Sequence, residues 1–513
     1  MNVPRHVVLI SLDCLRFDCL GCEDNQQYLK RHRLDHRVRT PTLDELAGKG
    51  VRFSQAICTA PYTTSSHASI FTGLYPPRHG LRAFLTSKLS GTAIPLAEKL
   101  RSNGFVTIRS ADGASFFSLA GLDRGVDHCL SRADHALFDV LKEHRRDHVY
   151  LFVHFFDLHE WYGFCEYPYR QHHNADFRER VEQLRRLYGT ERADSDIQYP
   201  LVKDSVQAAG HYDVLFREYI HGITKFDQGR LAWFMRNLAE TGILDDALLV
   251  LFSDHGEAIR LDSPSDAQRI LEGAPVRIEP VNHGGPLTEE VIRVPLILSA
   301  PGGLPEGEII DDQVSLADIM PTVLDILGID PESDPACTSL DGRSLLPLIE
   351  GEPAEDRAVY SESWVWSWDD HLEFVDRCEK AGELLVPNHK ASLYQRSIRT
   401  PQSKLIIQGD VPVGESSLLD KLKPANSFRD IWPFNLDVLP GCMLFDIQND
   451  PFEERNLLCT GMAGQYAEVT DTLYRVLDRV CSAERAVEEE AIGYKSEEEI
   501  EEMKRQLRGL GYI

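Results

Sequence analysis

Val7-Val8-Leu9-Ile10-Ser11-Leu12-Asp13 is an apolar, β-branched run that leads straight into a carboxylate. Such a run reads as a strand buried on both faces, with a turn at its carboxyl end. The pattern recurs where Val149–Phe156 leads into Asp157 and Ala247–Ser253 into Asp254. Around these, Val51–Cys58, Phe105–Ser110 and Val294–Ala300 also read as strands. Pro41–Gly50, Ile94–Asn103, Ala136–His144, Asp213–Thr241 and Leu316–Leu327 carry apolar residues at helical spacing. Alternation of this kind predicts an α/β fold, a mostly parallel sheet flanked by helices. Near Pro331–Pro335 the texture changes to proline and acid. Beyond it, Ala358–Ser363, Ser397–Gln408 and Met443–Ile447 predict a smaller C-terminal antiparallel sheet. From Tyr466 the chain reads as helical and ends in a charged helix, Glu497–Arg508, capped by Gly509. The expected division is an α/β domain over 1–335, a β-rich subdomain over 336–460 and a helical tail over 461–513.

With 42% hydrophobic and 26% charged residues among 513, the composition is globular, which excludes a disordered or collagen-like chain. Lys+Arg 54 against Asp+Glu 81 leaves a net charge of −27. That field repels nucleic-acid backbone, so no nucleic-acid partner is expected, and an anionic ligand must be met by a local cation. No run approaches the ~18 apolar residues of a membrane span, so no transmembrane segment is expected. Met1–His6 pass directly into the first strand without the pattern of a signal peptide. The 11 cysteines have no paired spacing, and only Cys14, Cys19 and Cys22 cluster. Reduced thiols and a cytoplasmic location follow as expectations.

Asp13, Asp157 and Asp254 all leave strands at their carboxyl ends, the edge where open parallel sheets place their functional crevice. Clustered carboxylates repel one another unless a cation sits between them. His159 and His255 follow closely on Asp157 and Asp254. A mixed oxygen and nitrogen set predicts a divalent metal: zinc, manganese or calcium. A single strand-end Asp can equally be a helix cap. Pro61-Tyr62-Thr63-Thr64-Ser65-Ser66-His67-Ala68-Ser69-Ile70-Phe71-Thr72-Gly73 then sets four hydroxyls ahead of an apolar helical turn. It reads either as an over-supplied N-cap or as a nucleophile at a helix N-terminus, where free N–H groups hold an anion. A threonine hydroxyl attacks at neutral pH only if its pKa is lowered, which coordination by Asp13, Asp254 and His255 through a metal achieves.

Thr63–Gly80 (T-T-S-S-H-A-S-I-F-T-G-L-Y-P-P-R-H-G) resembles the nucleophile segment of the alkaline phosphatase superfamily, in its sulfatase branch. Leu9–Arg16, Val153–Tyr162 (within which H-F-F-D-x-H-x-x-Y), Phe252–Glu257 (F-S-D-H-G-E), His283-Gly284 with Glu290–Pro295, Leu316–Gly328, Asp341–Leu345, Phe445–Leu457 and Leu510–Tyr512 extend the resemblance nearly end to end. It implies an alkaline-phosphatase-like fold with Asp13, Thr63, Asp254 and His255 as metal ligands and Thr63 as nucleophile. His159 and His283 fall where family members contact the anion or the leaving-group oxygen. A second metal held by Asp157, His159 and His283 is the two-metal alternative to direct substrate contact. His67 stands where sulfatases have arginine, and is expected to fix the nucleophile loop.

Sulfatases carry C-x-P-S-R or S-x-P-S-R, whose first residue becomes formylglycine. Thr63, Ser65 and His67 occupy those places here, so no formylglycine is expected. Cys14 stands where a second acid is common, which argues against the usual calcium site; it is either a soft ligand or a buried inert thiol. A threonine ester cannot leave by breaking its own C–O bond as a formylglycine hydrate does, so water must attack the central atom. In-line displacement of this kind suits phosphoryl groups. The expected activity is metal-dependent hydrolysis of a small phosphate or phosphodiester, on a glycan or lipid headgroup among other alcohols. A sulfuric ester hydrolase without formylglycine, a phosphoryl-headgroup transferase and a non-catalytic anionic-glycan scaffold are the alternatives. Trp364, Trp366 and Trp368 form a stripe on an extended segment, read as stacking on a sugar or lipid headgroup or as core packing between domains, and Ala258–Val281 reads as a surface lid.

Overall fold

The computed structural model describes residues 3–23, 38–83, 87–159, 212–259, 281–283, 287–330, 339–353, 357–363, 395–408, 423–424, 441–459, 463–482 and 493–509. The tryptophan stripe and residues 260–280 of the expected lid lie outside them. Eight strands form the large sheet: β1 (His6–Leu12), β2 (Val51–Ile57), β3 (Phe105–Ala111), β4 (His128–Leu130), β5 (His148–Phe155), β6 (Ala247–Ser253), β7 (Arg293–Ser299) and β8 (Glu308–Ser315). Their spatial order is β8-β2-β7-β6-β1-β5-β3-β4. All run the same way except β7, which pairs antiparallel with both β2 and β6. The mostly parallel sheet expected from the alternation is the sheet found.

Period-two alternation divides each central strand between two cores. Val7 and Leu9 of β1, with Tyr150 and Phe152 of β5, face α2 (Thr63–Thr72) and α5 (Ile319–Ile326). Val8, Ile10 and Leu12, with Val149, Leu151, Val153 and Phe155, face α1 (Pro41–Gly48), α3 (Tyr212–Phe226) and α4 (Ala232–Glu240). The helix expected over Asp213–Thr241 is interrupted by a π-helical turn, Asp227–Leu231, between α3 and α4.

The second sheet runs β9-β10-β11-β13-β12, from β9 (Val359–Ser363), β10 (Gln395–Arg399), β11 (Ser403–Gln408), β12 (Lys423–Pro424) and β13 (Gly441–Asp446). The single run expected over Ser397–Gln408 is a hairpin, with β10 antiparallel to β11. Pro401, which donates no hydrogen bond, sits in its turn. The sheet is pinned beside the start of α2: the Glu362 N–H donates to the Thr59 carbonyl at 2.9 Å. Arg82 grips the Glu362 carboxylate at 2.7 and 3.0 Å. The helix α6 (Ala467–Ser482) covers this sheet, while α7 (Glu497–Gly509) returns to the large domain, preceded by Gly493–Tyr494 paired with Ser87–Lys88.

Candidate active site

The register of three neighbouring strands builds the site. Leu12 lies level with Phe155 of β5 and Ser253 of β6, so Asp13 and Asp254 leave the sheet side by side. Ser253 ties the two exits together, its hydroxyl lying 2.6 Å from the Leu12 carbonyl and 2.7 Å from that of His255 while accepting the Leu15 N–H at 2.9 Å. Gly256 follows where only a glycine fits, since a Cβ there would stand 2.1 Å from the Glu290 carbonyl oxygen. Cys14 adopts φ +59°, rare for a residue with a Cβ, and its carbonyl accepts the Tyr219 hydroxyl at 2.5 Å.

Four buried side chains face one another beyond these strand ends. His255 Nε2 stands 3.4 Å from Asp13 Oδ1 and 3.6 Å from Asp254 Oδ2, and His154 Nε2 stands 3.5 Å from Asp13 Oδ2. Asp13 Oδ2, His154 Nε2, Asp254 Oδ2 and His255 Nε2 are all buried without a hydrogen-bond partner. Burial and the charge of Asp13 push the Asp254 carboxyl well above the usual carboxylate range. Burial, with the neighbouring His283 next, takes His255 down to about 3, so its imidazole is neutral. His255 Nδ1 lies 3.0 Å from the Gly256 carbonyl and donates its proton there, which leaves the Nε2 lone pair for the centre. Donors about 2.1–2.4 Å from one ion stand about 3–4 Å apart, the spacing of the His255–Asp13, His255–Asp254 and His154–Asp13 pairs. Two carboxylates and unpartnered nitrogens at that spacing fit a divalent cation.

Thr63 opens α2 against this cluster, and its side chain stands beside the Asp254 carboxylate, favouring the ionised form. All ten residues of α2 are buried, and Tyr62 precedes them with no side-chain cap. The hydroxyls of Thr64 and Ser65 therefore remain buried without partners, while Ser66 donates to the Asp254 carbonyl at 2.7 Å. The hydroxyl run is no surplus of caps; it leaves donors at a helix N-terminus able to receive an anion. His67 Nδ1 donates to the Thr63 carbonyl at 2.7 Å, one turn back, and so ties itself to the first residue of α2.

Above the strand ends stands a second group. Ligand atoms of Cys14, His159 and His283 lie within 4.8 Å of one another. His283 Nδ1 lies 3.1 Å from Glu257 Oε2, and the rings of His159 and His283 meet edge to face at 4.7 Å. Asp157 does not join them. Arg230, from the π-helical turn, forms an ion pair with Asp157 and holds Asp112 at 2.6 and 3.0 Å.

A family model described as Sulfatase matches residues 5–329. The chain belongs to the sulfatase family. Steryl-sulfatase of Mus musculus is 32% identical over 145 residues, covering 25% of this chain and 22% of that protein. The matched stretch thus spans about a fifth of the mouse protein. Arylsulfatase of Clostridium perfringens is 25% identical over 417 residues, covering 67% of this chain and 78% of that protein. The phosphonate monoester hydrolase of Agrobacterium radiobacter shares the fold with a TM-score of 0.58 at 17% identity, over 96% of this chain and 100% of that one. No helix among the described residues is long and apolar enough to cross a membrane.

Within this sulfatase-family site, sequence reasoning singled out Asp13, Thr63, Asp254 and His255 together, and His159 with His283. It passed over His154, Glu257 and Arg230. His154 was legible in principle, since it shares the strand face of Tyr150 and Phe152 and pairs across the sheet with Ser11. No local signal points to Arg230, which reaches Asp157 across 73 residues of chain.

Proposed function

We propose that this sulfatase-family chain hydrolyses small anionic esters, phosphodiesters or phosphomonoesters foremost, with Thr63 as the attacking group. The observation that carries the reading is Thr63 at the uncapped N-terminus of α2, beside Asp254 and next to two unpartnered buried hydroxyls. Asp13, Asp254 and His255 would hold a divalent cation, which would supply positive charge that makes a threonine hydroxyl acidic and offsets the charge of the ester. Thr63 Oγ1, its proton released to solvent, forms a bond to phosphorus as the ester oxygen departs opposite to it. His159 and His283 face that departing oxygen, and His283 hands it a proton; Glu257 holds His283 in orientation through Nδ1. Thr64, Ser65 and the first N–H groups of α2 receive the non-bridging oxygens. Water then attacks phosphorus, giving a proton to the now neutral His283, and Thr63 leaves as the alkoxide while phosphate is released. Threonine cannot become formylglycine, which favours phosphorus over sulfur as the central atom.

The names of the relatives favour a second reading, an aryl or alkyl sulfate ester. A metal-supplemented panel of phosphomonoesters, phosphodiesters, phosphonate monoesters and aryl sulfates, run on native protein and on Thr63→Ala, decides between them. Phosphoester turnover lost in Thr63→Ala is the expected result. Sulfate release by the native protein, together with phosphodiesterase activity that survives Thr63→Ala, would overturn it.

A further inference from the structure

The geometry points to His154 as a further metal ligand, its Nε2 lone pair aimed at the centre by a proton relay that starts at the backbone of the nucleophile. The inference rests on the metal centre of Asp13, Asp254 and His255 and adds to it a residue and a choice of metal.

The relay is read from one end. The Thr63 carbonyl can only accept, so His67 Nδ1, 2.7 Å away, carries a proton. His67 is 0% exposed, ringed by Phe71, Phe117 and Phe152 at centroid distances of 5.6, 5.0 and 5.4 Å, with Asp254 Oδ2 3.6 Å from Nδ1; the neutral ring carries its one proton on Nδ1. Its Nε2, 2.9 Å from Ser11 Oγ, is therefore an acceptor, and the single Ser11 hydroxyl proton points to it. That leaves Ser11 Oγ as the acceptor toward His154 Nδ1 at 3.0 Å, so His154 carries its proton on Nδ1. The lone pair then falls on His154 Nε2, an atom buried without a partner and 3.5 Å from Asp13 Oδ2, itself unpartnered. At that distance the two atoms do not share a hydrogen bond. The opposite ordering would set the His67 Nδ1 lone pair against the Thr63 carbonyl at 2.7 Å. With His67 neutral the chain of protons runs one way, and it ends on the His154 nitrogen that faces the Asp13 carboxylate.

His154 also links the two acids: its Nε2 stands 3.5 Å from Asp13 Oδ2, and ligand atoms of His67, His154 and Asp254 lie within 4.8 Å of one another, while His255 stands 3.4 Å from Asp13 and 3.6 Å from Asp254. Two carboxylates and two neutral imidazoles balance a dication charge for charge. A centre with two nitrogen donors takes a borderline transition ion such as zinc or cobalt in preference to calcium, which wants oxygen alone. The relay makes Ser11 and His67 positioning residues, holding the tautomer rather than touching the ion.

X-ray absorption on zinc-loaded native protein is the direct test, with two imidazoles in the zinc shell as the expected result. A shell with a single imidazole would overturn the inference without requiring any variant to fold. Titration with cobalt(II) and zinc, read by absorption and by chelator competition, gives the second measure. His154→Gln is expected to lose at least 100-fold in zinc affinity and to change the cobalt spectrum, and Ser11→Ala to lose about tenfold. A thousandfold excess of calcium is expected not to displace zinc from the native protein. Affinity and spectrum unchanged in a folded His154→Gln would also overturn it. Asp254→Asn is the control: if that variant keeps zinc as well, the metal centre itself is wrong, whereas loss of zinc there with full binding in His154→Gln refutes His154 alone.

Discussion

Two pairs of carboxylates stand at the same edge of the large sheet, all buried except the partly buried Asp157. Asp112 and Asp157 share Arg230, so the chain itself supplies their countercharge. Asp13 and Asp254 meet no arginine or lysine among the described residues; they face His154 and His255, with one oxygen of each acid unpartnered. Both pairs follow the same rule, that like charges out of water need a cation between them. They differ in where the cation comes from. The Arg230 pair is complete on folding and belongs to the architecture, while the Asp13 pair has the donors to be completed by a cation from outside.

The largest expected effect tests that division. Asp254→Asn should fold, purify without stoichiometric metal and lose ester hydrolysis by on the order of 10³-fold or more; metal analysis with kcat/KM on the best ester checks it. Arg230→Ala should do the reverse. It strands the buried Asp112 and the partly buried Asp157 and should cost about 3 kcal/mol in urea unfolding, while the folded fraction keeps its metal. Chelation comes next. Removing an ion present at 100 times its Kd should lower the stability of the native protein by about 2.7 kcal/mol, and thermal unfolding of Asp254→Asn should be indifferent to chelator.

The smallest effect belongs to Asp157, whose carboxyl is pushed up to about 6 by burial, with Asp112 adding and Arg230 opposing. Its folded form binds more protons than the unfolded chain between about pH 4 and 6. This group's contribution to stability therefore falls as pH rises through that window, by at most about 1.4 kcal/mol per pH unit. Subtracting the pH–stability curve of Asp157→Asn from that of the native protein should reveal the downward slope. A flat difference would mean that Arg230 neutralises Asp157 fully.

What was legible followed from how local each signal is. Ala247–Ser253 matches β6 residue for residue because an unbroken apolar run lies between Asp245-Asp246 and Asp254. The edge strand β8 escaped notice because Glu308, Asp311 and Asp312 are exposed and break its alternation. The π-helical turn in Asp213–Thr241 has the composition of any helix, and its widened hydrogen bonding leaves no mark in sequence. Among site residues, the carboxylates and Thr63 sit at element ends, where periodicity stops and an acid or hydroxyl stands out. His154 sits inside a strand, where it looks like one more core position, and its meaning depends on Ser11 lying opposite. Asp157 looked equivalent to Asp13 and Asp254 along the chain, and only the approach of Arg230 separates it from them.

The grip of Arg82 on Glu362, with the Glu362 N–H on Thr59, fastens the segment leading into α2 to a strand that lies some 300 positions further along the chain. A chain still lacking Val359–Ser363 would therefore hold the approach to α2 without its distant clasp, so the order of synthesis sets when that clasp can close.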